Sequence, residues 1–274
     1  MRRHGLTDSP DTLGLNGHAC WGFDDVGELG AAAAAFLSEG SELGQRLMFV
    51  GGPEAEALMR DTDPMKSLVD DGTLQVAPFD AVYPGGRRMA NVDQLAMYAG
   101  ATDQALADGF TGLRVLAEVT SLASPAGEWP NQVGWESYAD RYMATRPLAA
   151  LCCFDRQRLP VEAMAALACA HPVADRRLKP VAPFRVFAQP DAVALAGEVD
   201  ALSSAQLAAL LELTIPDTEG EVVLDLDGLD FIDHSGVRAV AEHEQRMRER
   251  GAQLILRGES AIFQRLSDLL EAES

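Results

Sequence analysis

The sequence predicts an α/β protein made of two consecutive domains, and three observations lead there. Through the first two thirds of the 274 residues, short apolar β-type runs alternate with helical patterns, the order of a layered and largely parallel sheet. Pro172, Pro180 and Pro183 then stand among charges with no sustained period, which is how a semi-rigid linker reads. Beyond them a second alternation begins, centred on the apolar run Val222-Val223-Leu224-Asp225-Leu226, which feeds a turn and then a helix. The divisions expected are a Gly-, Ser-, Asp- and Pro-rich mobile N-terminus at 1–15, a first domain at 16–172, a linker at 173–183 and a second domain at 184–274.

In the first domain, aliphatic runs place strands at 47–50, 74–77, 113–119 and 149–154, after an opening strand at His18-Ala19-Cys20. Helical periodicity places helices at 26–40, 54–60, 65–71, 92–108, 135–145 and 161–170, the first strengthened by the alanine run from Ala31 to Ala35. Trp135, Tyr138 and Tyr142 recur at helical spacing and read as a core-facing stripe. The segment 121–132, with Pro125, Gly127, Pro130 and Asn131, reads as an extended loop, either a lid over the sheet's ligand edge or a plain connection.

This segment resembles the MEDS domain, the sensory domain of methanogen and methylotroph regulators, itself similar to RecA and KaiC-like ATPase cores. The resemblance rests on His18-Ala19-Cys20, on Phe36-Leu37-Ser38-Glu39-Gly40 followed by Gly44-Gln45-Arg46-Leu47-Met48-Phe49-Val50, and on Ala149-Ala150-Leu151-Cys152-Cys153-Phe154-Asp155 followed by Leu159-Pro160. It implies a RecA-like parallel sheet and a role in sensing small organic compounds or their derivatives.

A RecA-like ATPase needs Gly-x4-Gly-Lys-Ser/Thr between its first strand and first helix. Here that place reads Gly22-Phe23-Asp24-Asp25-Val26-Gly27-Glu28, and three carboxylates replace the lysine and hydroxyl that would meet phosphate and magnesium. A triphosphate is repelled there, so ATP hydrolysis is not expected. The pocket outside the carboxyl ends of the parallel strands could still take a ligand. Location at strand ends nominates His18, Cys20, Trp21, Glu118, Cys152 and Asp155 as ligand-binding residues. Imidazole and thiolate also suit zinc or redox chemistry, but no Cys-x-x-Cys spacing supports it. Cys152, Cys153 and Cys169 read more simply as small buried hydrophobes, so no metal and no cofactor are assigned.

In the second domain a strand is expected at 184–188, then a second strand carrying Leu195-Ala196-Gly197-Glu198-Val199-Asp200, then a helix at 203–213. The strand at 222–226 breaks at Asp227-Gly228, and Phe231-Ile232 returns apolar side chains to the core before Asp233-His234-Ser235-Gly236. A helix to Arg250, closed by Gly251, a strand at 253–257 and an amphipathic helix from Ser260 complete the order. With the Leu-x-Gly-Glu-Val-Asp and Asp-x-Ser-Gly phrases at this separation, 184–274 resembles the STAS domain of bacterial anti-sigma factor antagonists. In that family the serine before the glycine is phosphorylated by a partner kinase that doubles as an anti-sigma factor. The resemblance implies Ser235 as phosphoacceptor, with Asp233, His234, Gly236 and Asp230 on the partner-binding surface. His234 stands where the family often has a small residue. A serine at a helix start also reads as a simple N-cap.

Composition bounds the remaining classes. A net charge of −20 opposes contact with nucleic acid or anionic lipid, which needs clustered Lys and Arg. No apolar stretch is long enough for a bilayer, and Met1-Arg2-Arg3-His4 does not lead into a signal core, so a cytoplasmic protein is expected. Four cysteines, Cys20, Cys152, Cys153 and Cys169, are too few for a disulfide framework. The expected function is regulatory, not enzymatic: a phosphorylation-controlled partner switch in stress response and transcription, with a sensory input domain. The partners are an anti-sigma serine kinase, with a phosphatase, a small organic ligand and a second copy of the chain as further options. The alternatives are an unphosphorylated STAS scaffold in a stress-sensing assembly, and a thiol- or nucleotide-dependent enzyme.

Overall fold

The computed structural model describes residues 2–124, 128–215 and 220–273. Its first sheet holds seven parallel strands: β1 (Gly5–Thr7), β2 (His18–Phe23), β3 (Arg46–Gly51), β4 (Leu74–Pro78), β5 (Leu113–Glu118), β6 (Leu148–Asp155) and β7 (Val173–Asp175). They lie in the order β1-β7-β2-β6-β5-β3-β4. The central strands β2, β5 and β6 are buried almost throughout, as expected of apolar runs covered on both faces.

Helices cover both faces. On one side α1 (Val26–Glu42), α2 (Pro53–Asp61) and α3 (Met65–Asp70) pack Phe36, Leu37 and Met59 against Phe49, Leu151 and Cys153. On the other, α5 (Asn91–Ala107), α7 (Trp129–Met143) and α8 (Val161–Cys169) meet Val115, Ala117, Ala150 and Cys152. Two single turns, α4 (Phe79–Val82) and α6 (Thr120–Ala123), and a 3-10 turn at Pro84–Gly86 also lie in this domain.

The second domain runs β8 (Phe184–Ala188), β9 (Val193–Val199), α9 (Ser204–Thr214), β10 (Gly220–Asp225), β11 (Leu229–Ile232), α10 (His234–Glu249), β12 (Ala252–Arg257) and α11 (Ala261–Glu273). The sheet order is β11-β9-β10-β12, with β8 antiparallel to β9 and the remaining pairs parallel. Gly197 sits at φ +96° within β9, where a Cβ would lie 2.6 Å from the Pro183 carbonyl oxygen, so this close approach of the chain entering β8 requires glycine.

One hydrophobic core runs through both domains, from Val133, Trp135 and Ala139 of α7 to Phe184, Leu207, Leu211 and Val240. The junction on α7 is polar as well. Ser137 Oγ donates to the Thr214 carbonyl at 3.1 Å, and the Ala188 N–H donates to Asp140 Oδ2 at 2.7 Å.

Four expectations differ from the structure. The segment 1–15 contains β1, which pairs with β7, and Arg2 forms a buried ion pair with Asp140 at 2.6 Å. The segment 173–183 begins as β7, because Val173 and Ala174 are apolar and fill the space between β1 and β2. Asp175 then caps a 3-10 turn at Arg176–Leu178 and pairs with Arg177, which fixes the chain as a packed bridge. In the presumed loop at 121–132, α6 and the start of α7 are helical, while Pro125 and Gly127 lie outside the described residues. Finally, Tyr138 and Tyr142 are only half-buried. The buried face of α7 runs through Gln132, Trp135, Glu136, Ala139, Asp140 and Met143, so polar groups share the core side of the helix.

Candidate functional site

Two places concentrate chemistry. The first is a cavity of about 40 Å³ between the sheet and α7, lined by Tyr83, Tyr98, Val115, Ala117, Trp135, Ala139 and Met143 among others. That volume admits one or a few water-sized groups. At one end four fully buried side chains converge, His18 from β2, Glu136 from α7, Cys152 from β6 and His171 just after α8.

Their contacts are short and specific. His18 Nε2 lies 3.3 Å from Glu136 Oε2 and 3.5 Å from Cys152 Sγ, while the Cys152 thiol donates to Glu136 Oε2 at 3.3 Å. His18 Nδ1 contacts Asp140 Oδ1 at 2.9 Å. His171 Nδ1 is 2.7 Å from the Leu167 carbonyl, which can only accept, so this nitrogen carries the proton. Its Nε2 faces Glu136 Oε2 at 3.6 Å, beyond hydrogen-bond reach, and has no hydrogen-bond partner among the described residues.

The electrostatics follow from burial and neighbours. Burial alone would raise the Glu136 carboxyl, but the His171 and His18 imidazoles outweigh it and hold it below the usual range. Burial likewise opposes charge on Asp140, yet Arg2 and His18 pull its pKa down to about 2. His18 is raised: Asp140 and Glu136 overcome the desolvation that would lower it. His171 is lowered by burial and by His18 beside it. Burial and the Glu136 charge push the Cys152 thiol well up. A free thiolate nucleophile is therefore disfavoured here.

Of the six residues nominated for this domain, the structure joins only His18 and Cys152 in the cluster. Cys20 shares their face of the sheet and sits opposite Cys152 in register, buried beneath them. Trp21 alternates to the other face, where it packs in the α1–α3 core near Arg177. Glu118 and Asp155 do sit at strand ends, but they accept local backbone N–H groups from Thr120 and Gln157. The cavity thus lies beneath α7, not outside the strand ends. Glu136 and His171 were missed because nothing links 18, 136, 152 and 171 in sequence. The one available signal was Glu136 and Asp140, four apart on the apolar side of a helix.

The loop after β2 is closed by its own acids. Asp25 accepts from the Glu28 N–H as the N-cap of α1, Glu28 accepts from the Asp24 N–H, and Arg177 and Arg156 neutralise Glu28 and Asp24. The donors that cradle phosphate in a nucleotide loop are occupied by the chain itself.

The second place is the start of α10. Asp233 is the N-cap: its Oδ1 accepts from the N–H groups of Ser235 at 2.8 Å and Gly236 at 3.1 Å. Ser235 is therefore not the cap, and its half-buried hydroxyl makes no hydrogen bond among the described residues. A Cβ on Gly236 would lie 2.6 Å from Ile232 Cγ1 and 2.8 Å from Val199 Cγ1, so glycine lets the helix start close against β9 and β11. Around the turn Asp230, His234 and Phe231 are exposed, Phe231 by 53%. Of the acids nearby in sequence, Asp225 is buried and paired with Arg257, while Asp227 and Asp230 face solvent.

Two known families match the chain in succession. The family described as methanogen/methylotroph, DcmR sensory domain (MEDS) matches residues 17–172. The family described as Mlab, STAS domain matches residues 185–273. No curated protein matches the chain. Among the described residues, no helix is long and apolar enough to cross a membrane.

Proposed function

Because this chain belongs to the MEDS family and continues into a STAS domain, we propose that it is a sensory partner switch whose output is controlled by phosphorylation of Ser235. Both families are regulatory or sensory in character. One observation carries the finer reading: Asp233 satisfies the first N–H groups of α10, which leaves the Ser235 hydroxyl unengaged at the positive end of the helix. A phosphate there would be held by the helix dipole and would add a charge of about −1.5 to −2. It would arrive beside Phe231, Asp230 and His234, an apolar and acidic surface for a serine kinase of the anti-sigma type. Partner release then needs only like-charge repulsion and the cost of burying a phosphate, with no refolding of the domain.

Input reaches this domain through α7. One side of the helix carries Glu136 and Trp135 into the cavity, and the same helix bonds the second domain through Asp140 to Ala188 and Ser137 to Thr214. A small organic ligand or protein bound by the first domain, in the cytoplasm, could thus bias the position of the STAS domain without a flexible linker. The test is capture of partners from cell extract by three forms of the full chain. Wild type and Ser235→Ala should retain a serine kinase that Ser235→Asp loses. Equal recovery by all three would defeat the proposal.

A further inference from the structure

We propose that His18, Glu136, Cys152 and His171 form a four-coordinate site for a divalent cation of the zinc class, with Asp140 and the Leu167 carbonyl orienting the two imidazoles. The sequence alone assigns no metal to this domain, for want of a Cys-x-x-Cys spacing, and the four ligands come from four separate stretches of chain.

The geometry carries the assignment. Zinc-class ions bind imidazole nitrogen and carboxylate oxygen at about 2.0–2.2 Å and thiolate sulfur at about 2.3 Å. The edges of such a tetrahedron are then about 3.3–3.6 Å. The observed separations are 3.3 Å for His18–Glu136, 3.3 Å for Cys152–Glu136, 3.5 Å for His18–Cys152 and 3.6 Å for His171–Glu136. The two remaining edges, from His171 to His18 and to Cys152, are within 4.8 Å. Little movement is needed to close the site.

The outer contacts are those a metal site requires. Metal-ligating histidines usually donate their other N–H to a carboxylate or a backbone carbonyl, which fixes the tautomer and aims the free nitrogen at the metal. His18 does the first through Asp140 and His171 the second through Leu167. Asp140 is itself held by Arg2 and the Ala188 N–H. Glu136 Oε1 accepts from Gln132 Nε2 at 2.6 Å, which leaves Oε2 for the cluster.

A second, independent sign is His171 Nε2, wholly buried, 3.6 Å from a carboxylate oxygen and without a hydrogen-bond partner among the described residues. A buried nitrogen left without a partner is costly, and a cation held between it and the carboxylate would satisfy both. On binding, the ion takes the sulfur of Cys152 as thiolate and displaces its proton. Thiolate with imidazole favours zinc over magnesium or calcium, which take oxygen ligands.

The experiment uses the full chain, stripped with a chelator and checked for native circular dichroism. Titration with cobalt(II) as a zinc substitute should give about one equivalent bound, the visible bands of tetrahedral cobalt and a thiolate-to-cobalt charge-transfer band. Cys152→Ser should lose the charge-transfer band. Asp140→Asn, which alters the residue that orients His18 and removes no ligand, should weaken binding by about 10–100-fold, and His171→Ala by more. Absence of stoichiometric binding by the folded wild-type chain would overturn the proposal. So would a cobalt spectrum that is octahedral, lacks the thiolate band or is unchanged in Cys152→Ser. The wild-type spectrum decides alone if a variant fails to fold.

Discussion

The buried cluster and the Ser235 turn are opposites in construction. The cluster gathers His18, Glu136, Cys152 and His171 across more than half the chain, and every member is sealed from solvent. The turn is built from four consecutive residues, with its cap, serine and close-packing glycine side by side, and the serine is half-buried next to exposed His234. A buried polar assembly is coupled to the stability of the whole domain, because each unpaired group costs far more inside than outside. A surface turn can be modified without that coupling. The first arrangement suits an input that alters packing, and the second suits an output that alters charge.

Substitutions can break that contrast, beginning with the largest effect. Asp140→Ala removes the partner of His18, Arg2 and the Ala188 N–H at once, and should destabilise the chain by about 3–5 kcal/mol in urea unfolding. A loss below about 1 kcal/mol would show that the cluster is not coupled to folding. Gly236→Ala places a methyl within 3 Å of Ile232 and Val199, and overpacking there should cost about 1–3 kcal/mol by the same measurement. Asp233→Ala removes the cap of α10 and should cost about 1 kcal/mol. Ser235→Ala should shift stability by no more than about 0.5 kcal/mol, since its hydroxyl has no described partner. If Ser235→Ala cost as much as Asp233→Ala, the serine would be structural and the contrast would fail.

Much of the fold was legible in the sequence because strand and helix periods are local. The strands at β3, β5, β6, β8 and β12 and the helices α1, α2, α5, α8 and α10 are fixed by runs such as Leu113-Arg114-Val115-Leu116 and by stops such as Gly251. The turn at Ser235 was legible for the same reason, and the structure sharpened it by giving the cap to Asp233. β1 and β7 were not legible: three residues each, they become strands only because each finds an edge to pair with. In α7 the aromatic residues drew attention away from Glu136 and Asp140, whose placement inside makes sense only opposite His18. The six nominated pocket residues came from a rule about strand ends; His18 and Cys152 line the cavity under α7, while Cys20, Trp21, Glu118 and Asp155 do not.

The central claim is that Ser235 is the switch, and phosphopeptide mass spectrometry of the chain recovered from its own cells tests it most directly. A phosphate should be found on the peptide spanning Ser235 in the wild-type chain, varying with growth or stress, and should vanish in Ser235→Ala. A peptide that is unmodified under growth and stress alike would contradict the switch.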